Sequence, residues 1–382
     1  MQLFFIKPEC NLLQEFSYAN GRELVVVKWS LQLAVLVSPI IAITLLCFPK
    51  HGYWFLGDAR ITLLLLIFGL MLLLGGGAAM VRGASGLAEG YGVPPLVVGL
   101  TVVAFGTSAP ELVVNVLGAL EGQTELAFGN ISGSNLANIG LVLGSAAIIT
   151  PMTLQGKIIR RELPLFLLGT TVLLIMMLDP LLRGERSVID RSDGLIMLLL
   201  FGIFIYLTVW DFIRQDHDPL LTTIGELDIV SHAENRTNWI LVIGGVVGLA
   251  IGGQITIIQG TELAETAGIP PVIVGMLVLA IGTSLPELIT SIFAAMKGEA
   301  DLCVGNVIGS NIFNGLFVLP ISAMVNPLIV PDGGVLDILV SLTFAVFLIP
   351  IFIFGKALMN RQVGILFVIA YLAYMTFRVL NT

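Results

Sequence analysis

Residues 94–144 read PPLVVGLTVVAFGTSAPELVVNVLGALEGQTELAFGNISGSNLANIGLVLG, and residues 270–320 read PPVIVGMLVLAIGTSLPELITSIFAAMKGEADLCVGNVIGSNIFNGLFVLP. The two stretches align at one constant offset without a gap, and 23 of their 51 positions are identical. The match continues upstream, pairing Glu89 with Glu265 and Gly77 with Gly253. Glycine, proline, glutamate, serine and asparagine recur at matching places while the apolar residues between them vary. Lipid-facing composition alone would not preserve those polar positions, so the chain is built on a duplicated unit.

The surroundings of the repeat define its medium. The chain is 57% hydrophobic and 12% charged, too little charge to cover the surface of a soluble protein of 382 residues, so apolar surface must face lipid. A bilayer core of about 30 Å takes roughly 20 helical residues, and run after run reaches that length. Ten core spans are expected near 60–88, 94–120, 125–149, 162–180, 194–213, 239–264, 270–296, 302–325, 334–354 and 362–380. An additional apolar run at 31–48 is followed by Pro49, Lys50 and His51 rather than by a small-residue cleavage site, so it reads as a retained extra span.

Five spans separate each repeat from its copy. An odd number turns the second copy over in the membrane, giving an all-α polytopic fold of two inverted five-helix repeats. The expected divisions are an N-terminal segment at 1–58, a first repeat at 59–214, a polar cytoplasmic linker at 215–238 and a second repeat at 239–382. The linker carries Asp216, Asp218, Glu226, Asp228 and Glu234 and is too short for a folded regulatory domain. With the N-terminus in the cytoplasm, about twelve of the eighteen Lys and Arg fall on the inner side, which favours that orientation in the plasma or inner membrane.

Several functions are set aside by what is missing. The net charge of −8 belongs to loops, and no Lys/Arg-rich tract suggests nucleic acid. Cys10, Cys47 and Cys303 are scattered, and His51, His217 and His232 read as loop residues. Neither a disulfide framework nor a zinc site is therefore expected. No Ser/His, Asp/Asp or HExxH constellation supports an enzyme. No cofactor is expected, and a monomer is the expected form.

What remains is the chemistry inside the repeat. Each copy holds GTSxPE, with Thr107, Ser108, Pro110 and Glu111 in the first and Thr283, Ser284, Pro286 and Glu287 in the second. Long apolar runs flank both, so each glutamate lies deep in the membrane, where an ionised carboxylate is costly and marks function. The prolines deprive the carbonyls of Gly106 and Gly282 of their helical donors, and broken backbone at that depth is tolerated where it lines a cavity. The following span carries GNxxGSNxxN. Asn130, Ser134 and Asn138 form one polar stripe, Asn306, Ser310 and Asn314 its copy, and Asn135 and Asn311 lie off the stripe. Two carboxylates among many neutral oxygens suit a hard cation: calcium takes six to eight oxygens, and sodium can use the same atoms in smaller groups. Glu125 with Asp301, and Glu89 with Glu265, read instead as helix-end or vestibule groups.

On these motifs the chain resembles the calcium/cation antiporter superfamily, in particular its sodium/calcium exchanger branch, over nearly all of residues 60–382. The resemblance implies ten core helices and counter-transport of Ca²⁺ and Na⁺. It implies Glu111 and Glu287 as central ligands, with Thr107, Ser108, Thr283, Ser284, Ser134, Asn138, Ser310 and Asn314 around them. It also implies that the Gly-rich first and sixth core spans slide to open each side in turn. Some members have Asp where this chain has Asn314, so one potential charge is missing here. Calcium/proton exchange on the same fold and a passive cation channel are the alternative readings. The proton-coupled branch usually departs from GTSxPE, and inverted repeats favour alternating access over a pore.

Overall fold

The computed structural model describes residues 59–153, 161–178, 184, 186–214, 232–266, 280–354 and 358–380. The expected span at 31–48 and most of the polar linker lie outside these residues. The described chain is helical apart from four two-residue strands. The first half comprises α1 (Ala59–Tyr91), α2 (Pro95–Thr107), α3 (Ala109–Leu120), α4 (Thr124–Ile149), α5 (Leu163–Met176) and α6 (Arg191–Arg214). The second comprises α7 (His232–Thr266), α8 (Ala280–Thr283), α9 (Leu285–Met296), α10 (Ala300–Val325), α11 (Gly334–Phe354) and α12 (Arg361–Leu380). Six elements thus answer six in order, from α1 with α7 to α6 with α12.

Seven of these helices are long and apolar enough to cross a bilayer alone, and α2 with α3 forms an eighth passage bent by 45°. The shorter apolar helices α5 and α9 stand where the fourth and seventh core spans are expected. The longest helix, α7, begins at His232, ahead of the apolar run, so its first turns fall inside the stretch expected as linker. A hydropathy pattern marks only the membrane part of a helix; the polar turns beyond it carry no such signal. At 1.5 Å per residue the 33 residues of α1 span about 50 Å, more than the hydrocarbon thickness, so the helix tilts or projects.

Burial sorts the helices into two shells. In the most apolar 18-residue stretch of each helix, 78% and 89% of the positions are buried in α4 and α10, and only 22% in α6 and α12. The outer helices turn large apolar side chains outward, among them Leu64 and Met71 of α1, Leu199 and Tyr206 of α6, and Leu366 and Ile369 of α12. Such a surface is stable only in lipid. The inner shell is α2–α4 with α8–α10, the segments that carry the repeated motifs.

The inverted relation is visible in the strands. β1 (Met152–Thr153) follows α4 and pairs antiparallel with β4 (Leu358–Met359), which precedes α12. β2 (Val188–Ile189) precedes α6 and pairs antiparallel with β3 (Leu328–Ile329), which follows α10. Exchanging the halves turns one pair into the other, as a two-fold axis lying in the membrane plane requires. Acid–arginine clasps repeat the theme. Arg161 pairs with Glu162 at the start of α5 and donates to the Leu207 carbonyl of α6 at 3.0 Å. Arg378 of α12 pairs with Asp337 of α11 at 2.9 Å, and Tyr374 donates to the same carboxylate.

Where inner helices of opposite halves cross, glycine lets backbone meet backbone. A Cβ on Gly305 of α10 would stand 2.8 Å from the Leu96 carbonyl and 3.1 Å from the Gly99 Cα of α2. The long outer pair α1 and α7 makes the same kind of contact, since a Cβ on Gly245 would stand 2.6 Å from the Met80 amide. No flexible side chain can yield at Gly305. Gly305→Ala should therefore cost roughly 1–3 kcal/mol of overpacking, read as a lower melting temperature in detergent. Gly75→Ala, which meets nothing within 4 Å, should melt as the unaltered protein does.

Candidate ion-binding site

Both GTSxPE segments break their helices at the serine. Ser108 (φ −88°, ψ 6°) separates α2 from α3, and Ser284 (φ −86°, ψ 4°) separates α8 from α9. Pro110 and Pro286 sit in the first turn of the new helix, where a missing N–H is tolerated. The backbone ladder resumes with Leu112 donating to the Ser108 carbonyl at 3.2 Å and Leu288 to the Ser284 carbonyl at 2.9 Å. The glutamate therefore lies in the first turn after each break, fully buried in both halves.

The stripes on α4 and α10 change winding at their last asparagine. A stretch of wider, i→i+5 turns runs from Asn138 to Leu143 in α4 and from Asn314 to Val318 in α10, and a third precedes the first break, at Gly99–Val103. Such turns gather at functional sites because they displace a side chain from the regular helix face. Thr107, Ser108, Ser134, Asn138, Thr283, Ser284, Ser310 and Asn314 are all buried alongside Glu111 and Glu287.

Hydrogen bonds join most of these residues across the two halves. Ser108 donates to Oε1 of Glu287 at 2.8 Å, and Ser310 reaches the same oxygen at 3.5 Å. Thr107 lies 3.5 Å from Ser310, and Ser134 lies 3.1 Å from Thr283. The break of each half thus meets the stripe of the other. Glu111 is held differently: neither of its carboxylate oxygens has a hydrogen-bond partner. Glu287 Oε2, Ser284 Oγ, Asn138 Oδ1 and Asn314 Oδ1 are also buried without one. Buried polar atoms are nearly always bonded, and here six unpartnered acceptors belong to the residues singled out by the motifs. A set of unpartnered oxygens that includes two carboxylates, drawn from both halves, has the chemistry a hard cation takes.

Asn135 and Asn311 do something else. Asn311 donates to the Asn135 carbonyl at 3.1 Å and Asn135 to the Asn311 carbonyl at 3.5 Å, a reciprocal clasp between α4 and α10. Asn138 donates to Asn311 Oδ1 at 3.0 Å, which turns its own oxygen away from the clasp. Sequence reasoning passed over Asn115 and Ser291, one turn beyond the glutamates. Asn115 donates to the Glu111 carbonyl at 2.7 Å, and Ser291 accepts from Asn306 at 2.9 Å. Two polar residues at matching places in apolar runs were the available signal. Among the helix-end acids, Glu125 pairs with Arg186 at 2.9 Å on the surface.

Two inverted repeats, broken helices and a buried oxygen site at the repeat interface define an integral membrane transporter rather than an enzyme. The chain belongs to the sodium/calcium exchanger family, whose description, "Sodium/calcium exchanger protein", fits it twice, over residues 61–210 and 237–380. The inner membrane protein YrbG of Escherichia coli (strain K12) is 38% identical over 267 residues, covering 69% of this chain and 79% of its own length. The sodium/calcium exchanger MaX1 of Methanosarcina acetivorans is 26% identical over 344 residues, covering 82% of this chain and 97% of its own. A solved structure of the sodium-calcium exchanger NCX_Mj, soaked with 10 mM Na⁺ and zero Ca²⁺, superposes with a TM-score of 0.72 at 26% identity. It covers 84% of this chain and 99% of that one.

The clasp yields a stability prediction. Asn311→Ala removes the donor to the Asn135 carbonyl and the acceptor of Asn138. Thermal unfolding in detergent should show roughly 1–3 kcal/mol of destabilisation; an unchanged melting temperature would mean that α4 and α10 are held by packing alone.

Proposed function

We propose that the chain is a secondary antiporter that exchanges Ca²⁺ for Na⁺ across the plasma or inner membrane by alternating access. The observation that supports this most is the pair of glutamates, Glu111 and Glu287. Both are fully buried at matching helix breaks of the two halves, with three of their four carboxylate oxygens unpartnered. In this reading Glu111 and Glu287 neutralise the divalent ion. Thr107, Ser108, Thr283 and Ser284 supply hydroxyl and freed carbonyl oxygens, and Ser134, Asn138, Ser310 and Asn314 complete the shell. Every ligand comes from one chain, so a monomer suffices.

The long helices α1 and α7, in contact through Gly76 and Gly245, form the pair that moves against the inner shell. The N-terminus is cytoplasmic, with the first half at 59–214 and the second at 239–382. The names of MaX1 and NCX_Mj, both sodium/calcium exchangers, support the choice of ions. That of YrbG supports the membrane.

The test is calcium-45 uptake into sodium-loaded proteoliposomes. Uptake that requires the outward sodium gradient is the expected result; uptake that follows a proton gradient instead would reassign the coupling ion to H⁺. Saturable flux that needs a counter-ion separates an antiporter from a channel.

Replacing either central acid by its amide keeps the shape and removes one ligand charge. Glu111→Gln and Glu287→Gln should each abolish calcium uptake while the protein still elutes as a folded species on gel filtration. Normal flux in both variants would sink the ligand assignment.

A further inference from the structure

Asn130 and Asn306 belong to the polar stripes, but their contacts are not those of ligands. Thr107 Oγ1 donates to Asn306 Oδ1 at 3.1 Å, and Thr283 Oγ1 donates to Asn130 Oδ1 at 3.2 Å. Each bond runs from the helix break of one half to the stripe of the other, and all four residues are buried. The orientation of the Asn306 amide is set by its other end: Nδ2 donates to Ser291 Oγ at 2.9 Å and to the Glu287 carbonyl at 3.4 Å. Its oxygen must therefore face Thr107. One side chain on α10 thus fixes a hydroxyl of the first half and the backbone of a glutamate of the second.

A hydroxyl has one proton and two lone pairs. In a dry interior the proton stays on whatever acceptor is fixed beside it. Once the Thr107 proton is committed to Asn306, the oxygen can meet a neighbour only as an acceptor, which is the form a cation needs. For Thr107 the other acceptors are more distant, the Ala104 carbonyl at 3.3 Å and Ser310 Oγ at 3.5 Å. Thr283 Oγ1 also has Ser134 Oγ at 3.1 Å, whose hydroxyl can donate to it while Thr283 donates to Asn130. We propose that Asn306 and Asn130 are positioning residues that set the polarity of the Thr107 and Thr283 hydroxyls, so that both present oxygen lone pairs to the transported cation. This rests on the reading above that the two threonines contact the ion.

The halves are unequal in one respect. Asn306 closes its link to Ser291, whereas Asn130 Nδ2 and the oxygen of Asn115, which occupies the place of Ser291, are both buried without partners. Asn306 is therefore the more firmly held of the two, and its loss should be felt more.

Equilibrium binding of calcium-45 to the purified protein in sodium-free detergent solution tests the idea. Asn306→Ala should raise the calcium Kd about tenfold, the scale of one buried hydrogen bond, and Asn130→Ala should raise it less. Thr107→Val should weaken binding too. The double variant Thr107→Val/Asn306→Ala should bind no more weakly than Thr107→Val alone, because the asparagine acts through the hydroxyl. A residue that only stabilises the fold would lower the melting temperature and leave the Kd unmoved. That outcome overturns the proposal, as would effects of the two substitutions that simply multiply. If Asn306→Ala does not fold, the same cycle with Asn130→Ala and Thr283→Val decides. Sodium-driven uptake by the unaltered protein is read separately. Coupled binding effects without such uptake would leave the positioning role standing and remove the exchange reading. No calcium binding by the unaltered protein would overturn both.

Discussion

Two carboxylates sit at zero exposure inside a protein that is itself immersed in lipid, and the rest of the structure is arranged around that cost. An ionised acid in such a place needs oxygen-rich or cationic company, and no basic residue lies in either repeated motif. The chain answers with neutral polar groups. Each helix breaks two residues before its proline, hydroxyls and amides line the facing helices, and the most buried spans carry them. The outer helices then serve to keep lipid away from this interior. Glycines at the crossings bring the inner helices to backbone distance, which leaves little room between the polar rows.

The two halves share a motif but not a state. Ser108 bonds Glu287, while its counterpart Ser284 has no partner and Glu111 accepts from no side chain. In transporters built from inverted repeats the halves exchange roles between the two open states, so any single conformation has to break the symmetry that the sequence displays. The inequality sits at the acids themselves: Glu287 accepts a side-chain hydrogen bond from across the repeat interface, and Glu111 accepts none.

Much of this was legible in the residues. The repeat, the long apolar helices and the burial of Glu111 and Glu287 all follow from patterns within short windows of sequence, because hydropathy and a proline act locally. The helix breaks were placed within two residues for the same reason. What was hidden depends on contact between halves. That Ser108 reaches across to Glu287 rather than to its own glutamate cannot be read from spacing, since the two are held together only by the packing of α2 against α9 and α10. Wider turns at Asn138 and Asn314 leave no mark in composition. Asn135 and Asn311 lie off the polar stripes, and spacing alone does not say what they touch. The deciding feature, two amides reaching each other's backbone, exists only once α4 and α10 are side by side.

The small strand pairs have a consequence for how the chain is made. β1 waits for β4 and β2 waits for β3, partners separated by well over a hundred residues of chain. During synthesis the first half emerges with both of its strands unpaired, and neither zipper can close until the second half has been threaded in with the opposite orientation. Insertion of the later helices the wrong way up would leave β1 and β4 on opposite faces of the bilayer. The two ladders therefore act as a late checkpoint on topology, closing only around a chain whose halves have been inserted antiparallel.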